Sequence, residues 1–295
     1  MDSLTFGPLV QTAWLANHLG DADLSVFDTT VFLRPDPDGP RPYRIESGRE
    51  AYELEHVTGA AFLDLPGDLS DRSSRFGFQM PGVEQLERVL SAAGLGEGRR
   101  VVLYSAGSVM WSTRMWWMLR SAGFDEAAVL DGGWEKWRRE GRPTAAGSEA
   151  YSAARFEARM CSGLLIGKEE MVERSGRDSV CTLNALSPGV YAGTSSMSYG
   201  RPGHIPGSHN VYYNTLLDPD SGTFLPTEQL ERLFVSSGAL ESEQVVAYCG
   251  GGISATMDAL ALVLIGRPDV AVYDGSMSEW AADESLPLET GSEPA

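Results

Sequence analysis

The segment Ala247-Tyr-Cys-Gly-Gly-Gly-Ile-Ser-Ala-Thr-Met-Asp-Ala259 sets Cys249 directly before three glycines, Gly250, Gly251 and Gly252, with Ile253 and Ser254 completing a six-residue loop. Glycine loses more conformational freedom on folding than any other residue, so a cluster of it implies a turn with positive φ or a close backbone approach. An apolar run precedes the loop and helical spacing follows it, so the loop joins a strand to a helix. A tight loop of this kind turns successive N–H groups inward, and the helix start adds the positive end of its dipole, which together form a nest for an anion. A sulfur at the centre of that nest is favoured as thiolate over thiol and is a nucleophile at neutral pH. The same N–H groups then stabilise whatever negative charge the cysteine carries after reaction.

Cysteine phosphatases use the same physics with a longer loop, C-x5-R, whose arginine clamps a tetrahedral phosphate. Here the residue six beyond Cys249 is Ala255, so that bidentate clamp is missing. Cys161 and Cys181 lack such a setting and read as inert thiols, one near a domain start and one in an apolar strand.

The elements that must position Cys249 recur along the chain. Glu84-Gln-Leu-Glu-Arg88 returns as Glu228-Gln-Leu-Glu-Arg232, Val101-Val-Leu-Tyr-Ser-Ala-Gly107 faces Val245-Val-Ala-Tyr-Cys-Gly-Gly251, and Val129-Leu-Asp-Gly-Gly-Trp134 with Trp137 faces Val272-Tyr-Asp-Gly-Ser-Met277 with Trp280. A period of about 144 residues is far longer than a solenoid repeat, so the chain holds two copies of a globular unit. Residues 1–142 and 159–295 are the expected domains, and the polar, small-residue stretch 143–158 reads as a linker. In each copy short apolar runs alternate with helical spacing: Ser25–Asp28, Val101–Tyr104 and Ala127–Leu130, then Ser179–Leu183, Val245–Tyr248 and Val270–Tyr273. Strand, helix, strand in repetition predicts an α/β fold, a mostly parallel sheet flanked by helices, with ligands beyond the carboxyl ends of the strands. Cys249 stands at such an end.

Composition narrows the partners. The 295-residue chain carries a formal net charge of -18, which argues against nucleic acid as a partner because phosphate-backbone affinity comes from clustered Lys and Arg. No apolar run is long enough to span a bilayer and no basic, then apolar, leader opens the chain, so no membrane partner is expected. Three cysteines without a CxxC pair do not describe a disulfide framework, and a cytoplasmic setting fits them. The four histidines form no zinc-type cluster, so no metal is expected.

The loop Cys249 to Ser254 resembles the C-x-x-G-x-[ST] active loop of rhodanese-type sulfurtransferases of the thiosulfate and 3-mercaptopyruvate family. Tyr273-Asp-Gly-Ser with Trp280, Gly203-His-Ile-Pro-Gly-Ser-His-Asn210 and Asp131-Gly-Gly-Trp-Glu-Lys-Trp137 are similar to further family segments, in order, from about Trp14 to Leu288. The resemblance implies two rhodanese-like domains, of which the first is non-catalytic because Ser105 stands where the second has Cys249. It implies a ping-pong transfer without cofactor, in which Cys249 takes sulfane sulfur from an anionic donor as a persulfide. A thiophilic acceptor such as cyanide, a thiol or a thioredoxin-like protein then removes it. A persulfide carrier or protein-binding module with little small-molecule turnover is the alternative.

The donor signatures of the family are altered here. Val190 in Gly189-Val-Tyr-Ala-Gly-Thr194 replaces an arginine, Gly250 and Gly251 stand where CRKGVT loops carry basic residues, and Gly251 replaces the serine of CGSGV loops. Phe78 occupies the place matched to a first-domain histidine. Arg201 is the remaining basic candidate, either an anchor for the donor anion or a cap for loop carbonyls. His204 is expected to fix a turn through hydrogen bonds rather than to transfer protons. Thiosulfate and 3-mercaptopyruvate both stay open as donors.

Overall fold

A computed structural model describes residues 6–36 and 43–292. Two compact units emerge. The first comprises the chain up to Ser73, Met80–Cys161 and Pro219–Thr223; the second comprises Ser74–Gln79, Ser162–Asp218 and the chain from Phe224 onward.

Each unit is built on a five-stranded parallel sheet of the same order. In the first unit the strands run Leu9–Val10, Ala127–Leu130, Arg100–Tyr104, Leu24–Asp28 and Ala61–Phe62 across the sheet. In the second they run Leu165–Ile166, Val270–Tyr273, Gln244–Tyr248, Val180–Asn184 and His209–Asn210. After their first residues, Arg100 and Gln244, the central strands are apolar and buried, as a sheet covered on both faces requires. The α/β expectation thus holds in both copies. The helices Val83–Ala92 and Thr227–Val235, which carry the repeated Glu-Gln-Leu-Glu-Arg, are amphipathic and bury Leu86 and Leu90 in one copy, Leu230 and Phe234 in the other.

The duplication extends to polar contacts. Tyr104 at the end of its strand accepts the Val57 N–H at 3.2 Å, and Tyr248 accepts that of Ile205 at 3.0 Å. Asp28 accepts the Thr30 N–H, and Asn184 accepts that of Leu186, both at 2.8 Å. His56 stacks on Tyr52 with Nδ1 2.8 Å from the Tyr52 carbonyl, and His204 stacks on Tyr191 with Nδ1 2.9 Å from the Tyr191 carbonyl. Both imidazoles are fully buried, so His204 ties its turn to the preceding helix.

Residues 143–158 pack along the first unit. Thr144–Ala145 pairs antiparallel with His56–Val57, Phe156 is buried, and the Tyr151 hydroxyl accepts the Val26 N–H at 2.8 Å while donating to the Gly59 carbonyl at 2.7 Å. Two aromatic side chains, a short strand pairing and backbone hydrogen bonds such as Ala154 N–H to the Ser91 carbonyl dock a stretch otherwise made of small and polar residues.

Candidate active site

Cys249 follows the buried strand Gln244–Tyr248 and is itself only 2% exposed. The helix Ala255–Leu264 begins one residue past the loop, with residues 255–262 buried on every side. The sheet thus fixes the sulfur end of the loop and the helix its far end, so the six residues between have little freedom left.

The three glycines serve three purposes. Gly252 has φ +74°, the left-handed region in which a side chain is strained, and so makes the turn. A Cβ placed on Gly250 would lie 2.0 Å from Tyr199 Cζ and 2.2 Å from its hydroxyl oxygen, so the phenol fills the space of a side chain there. At Gly251 a Cβ would meet the Gly77 carbonyl oxygen at 3.7 Å and Ser278 Oγ at 4.0 Å, ordinary van der Waals contacts that would tolerate a small side chain.

Ser276 organises the loop from below. Its hydroxyl accepts the Cys249 N–H at 3.0 Å and the Gly252 N–H at 3.1 Å, and donates to the Tyr273 carbonyl at 2.8 Å. Ser276 holds φ +50°, a conformation uncommon for a residue with a side chain. Met277 N–H bonds the Cys249 carbonyl at 3.0 Å, and both the N–H and hydroxyl of Ser278 bond the Gly250 carbonyl, at 2.9 and 2.7 Å. The amides of Gly250, Gly251, Ile253 and Ser254 donate to no acceptor among the described residues. One set of loop groups is therefore tied down, and another is not.

The groups around the loop are aromatic or neutral. Tyr213, in the short helical turn Tyr213–Leu216, has its hydroxyl pushed up to about 12, chiefly by burial and by Tyr212, with a lesser contribution from the charge of Cys249. Asp258, one turn into the helix, is fully buried with no hydrogen-bond partner for either oxygen among the described residues, and burial, followed by the charge of Cys249, pushes its carboxyl well above the usual range. The segment Ser74–Gln79 belongs to this unit and brings the Gly77 carbonyl to the loop, while Phe78 is buried at φ +67°.

Arg201 takes the carbonyl-capping use. Its Nε bonds the Ala281 carbonyl at 3.0 Å and its Nη2 bonds those of Asp283 and Leu286 at 2.8 and 2.9 Å. Cys181 is buried, gives its thiol to the Ser237 carbonyl, and is pushed up to about 11 by burial, as an inert thiol should be; Cys161 is exposed. Among the described residues no group of His, Cys, Asp and Glu could hold a metal ion, and no helix is long and apolar enough to cross a membrane.

The matching loop of the first unit is occupied by its own side chains. Gly107 N–H donates to a Glu135 carboxylate oxygen at 2.7 Å, Ala106 N–H donates to Thr30 Oγ1 at 2.8 Å, and Ser105 Oγ donates to the Ser108 carbonyl at 2.7 Å. Gly133, at φ +54°, stands where Ser276 stands in the second unit.

The rhodanese-like domain matches this chain twice, over residues 11–140 and 194–283. The chain belongs to the rhodanese-like sulfurtransferase family. Among its relatives, the thiosulfate/3-mercaptopyruvate sulfurtransferase 2 of Arabidopsis thaliana is 31% identical over 95% of this chain and 86% of its own length. The thiosulfate sulfurtransferase of Gallus gallus is 31% identical over 92% of each chain, and the 3-mercaptopyruvate sulfurtransferase of Homo sapiens is 30% identical over 92% and 91%. The crystal structure of SseA from Escherichia coli, described with the rhodanese fold of 3-mercaptopyruvate sulfotransferases, aligns with TM-score 0.79 and 25% identity over 92% of this chain and 98% of its own. Tum1 from Saccharomyces cerevisiae, at 20% identity and TM-score 0.82 over 98% of this chain and all of its own, shares the fold. In this rhodanese-like chain the tandem arrangement read from the sequence corresponds to the two matched domains.

The sequence singles out the Cys249 loop but not Ser276, Tyr199, Tyr213 and Asp258, which the fold brings to it. Ser276 carried one signal, since it replaces a glycine of the first copy at an otherwise matching Asp-Gly position. Tyr199 carried none, because nothing in its neighbours announces a contact 51 residues along the chain.

Proposed function

We propose that Cys249 is the catalytic nucleophile of a sulfurtransferase that takes sulfane sulfur from an anionic donor, thiosulfate or 3-mercaptopyruvate, and passes it to a thiophilic acceptor such as cyanide or a thiol. The thiolate attacks the donor's outer sulfur. With thiosulfate the S–S bond breaks and sulfite leaves; with 3-mercaptopyruvate the C–S bond breaks and the enolate of pyruvate leaves and takes up a proton. The acceptor then attacks the terminal sulfur of Cys–S–S⁻, the S–S bond breaks, and the Cys249 thiolate returns.

The observation that carries this reading is the four amides of Gly250, Gly251, Ile253 and Ser254 that have no protein acceptor among the described residues, beside a buried cysteine. Preorganised donors aimed at developing charge are the largest single source of catalysis in such sites. They support a persulfide anion on a sulfur that has little water to stabilise it. The helix Ala255–Leu264 starts at the same place and adds its dipole.

Intact-protein mass spectrometry after incubation with each donor tests the assignment. One sulfur atom added to Cys249, lost in Cys249→Ser and removed by cyanide as thiocyanate, is the expected result. A chain left unmodified by both donors, with no thiocyanate formed, rules it out.

A further inference from the structure

We infer that Asp258 is a positioning residue of the sulfur chemistry, a carboxylic acid buried behind the loop that keeps its proton while Cys249 is charged, so that the sulfur carries the one negative charge there; this rests on the sulfur-transfer reading above. The geometry comes first. Asp258 lies one turn past Ser254, the last residue of the loop, on the helix Ala255–Leu264, and it is fully buried. Neither carboxyl oxygen has a hydrogen-bond partner among the described residues, and the rest of the helix is apolar but for Thr256. A buried polar group without a partner is costly, and its presence in a core calls for a purpose.

No cation offsets it. The helix packs against the strands Gln244–Tyr248 and Val270–Tyr273, the turn Tyr213–Leu216 and the helix Thr227–Val235. These bring Tyr248, Tyr273 and Tyr213, phenols that burial keeps neutral, and Glu228, Glu231 and Arg232, all three exposed. Among the described residues, the one charge that acts on Asp258 is that of Cys249. An ionised Asp258 would therefore face a thiolate or persulfide across a dry interior without a counterion, and of two acids so placed one keeps its proton.

The loop decides which. Four of its amides, without a protein acceptor among the described residues, serve an anion at sulfur, whereas nothing serves a carboxylate at Asp258. The helix dipole favours a carboxylate in the first turn, but that effect is small beside the loss of water on burial. Burial, followed by the charge of Cys249, raises the Asp258 carboxyl well above its usual range, the direction this arrangement requires. The first copy supplies the contrast. Arg114 stands at the matching place of the helix Met110–Ser121, equally buried, so the fold accepts a permanent charge there. The copy with Cys249 carries instead an acid whose charge depends on one proton.

Infrared spectroscopy of the full-length protein tests this, since the C=O stretch of a protonated carboxyl is resolved from that of a carboxylate. At neutral pH the wild type is expected to show a protonated-carboxyl band that is absent from Asp258→Asn; Asp258→Leu assigns the band if the asparagine variant does not fold. In Cys249→Ser, where no charge faces Asp258, the proton is expected to be held about tenfold or more weakly, so the band disappears at lower pH than in the wild type. The wild-type kcat/KM is expected to fall through the pH at which the band is lost, because a second charge repels the anionic donor, and the profile of the neutral variant, scaled to its own value at neutral pH, to lack that fall. No band assignable to Asp258, a band lost at the same pH or kept to the alkaline end in both wild type and Cys249→Ser, or the same fall in the neutral variant overturns the assignment and leaves sulfur transfer intact. If neither donor loads wild-type Cys249, the underlying reading fails and the role in sulfur transfer falls with it, whichever way the titration comes out.

Discussion

The hydroxyl of Ser276 lies 3.0 Å from the amide nitrogen of Cys249 and receives its N–H, so a residue 27 positions downstream sets the orientation of the peptide that carries the Cys249 thiol. The same oxygen receives the Gly252 N–H, and its proton goes to the Tyr273 carbonyl. Three hydrogen bonds converge on one fully buried oxygen. The first copy has Gly133 at this position with nearly the same positive φ, +54° against +50°, and no side chain to do this work. Strain accepted at Ser276 and relieved at Gly133 marks which copy needs its loop held.

Ser276→Ala keeps the strained backbone and leaves two buried amides unsatisfied, which costs about 2–4 kcal/mol of stability. Ser276→Gly loses the same bonds and relieves the strain, so it should be more stable than the alanine variant by about 1 kcal/mol. Both should lose sulfur transfer to a similar degree, about 10- to 100-fold in kcat/KM, because the loop amides are no longer preorganised. Denaturant unfolding with steady-state kinetics on the three proteins separates the two effects. A glycine variant with wild-type activity would show that Ser276 serves stability alone.

The parts of this molecule legible in the sequence are those whose signal is local or repeated. The cysteine-glycine loop announces itself because glycine clusters need a reason, and the two central sheets announce themselves because Val101–Tyr104 and Val245–Tyr248 are apolar runs at a fixed offset. The edge strands Leu9–Val10 and Leu165–Ile166 are two residues long, too short to carry a period. Contacts such as Tyr199 on Gly250 or Ser74–Gln79 joining the second unit depend on how the chain is folded back, and no spacing encodes them. Arg201 has two physically sound uses in the sequence, and its bonds to three carbonyls come from parts of the chain 80 and more residues away that no local spacing announces.

Asp28 and Asn184 occupy matching places, each accepting the N–H two residues ahead, and their difference predicts a pH effect. Burial pushes the Asp28 carboxyl up to about 6 from 3.8, against the opposing bonds from Thr30 and Tyr104. The folded state therefore holds the proton more tightly than the unfolded state, so its contribution is fully present below about pH 4 and is lost as pH rises through about 6. Asp28→Asn keeps an oxygen for Thr30 and carries no charge. It should be more stable than wild type at pH 8 by about 1–3 kcal/mol, with the advantage shrinking towards pH 4. Unfolding free energies measured at the two pH values give the answer, and an advantage independent of pH would mean that ionisation of Asp28 is not its source.

Ser105 tests whether a cysteine in this fold is sufficient for the chemistry or whether the loop must be vacant as well. The strand, the turn and the following helix of the first unit match those of the second, and Trp134 N–H bonds the Ser105 carbonyl as Met277 N–H bonds that of Cys249. What differs is that Gly107 N–H is already held by the Glu135 carboxylate and Ala106 N–H by Thr30. A carboxylate there supplies the negative charge that a persulfide would otherwise bring, so a second anion would meet repulsion instead of donors. In a Cys249→Ser background, Ser105→Cys is expected to gain no sulfur from either donor under conditions that load wild-type Cys249 fully. Adding Glu135→Ser, which installs the residue found at the matching position 278, frees one amide and removes the charge. Sulfur at position 105 should then rise above the level of Ser105→Cys alone in the mass spectrum. Stoichiometric loading of the Ser105→Cys variant with Glu135 still in place would show that the thiol alone is enough and that the vacant amides of the second loop are not what makes Cys249 reactive.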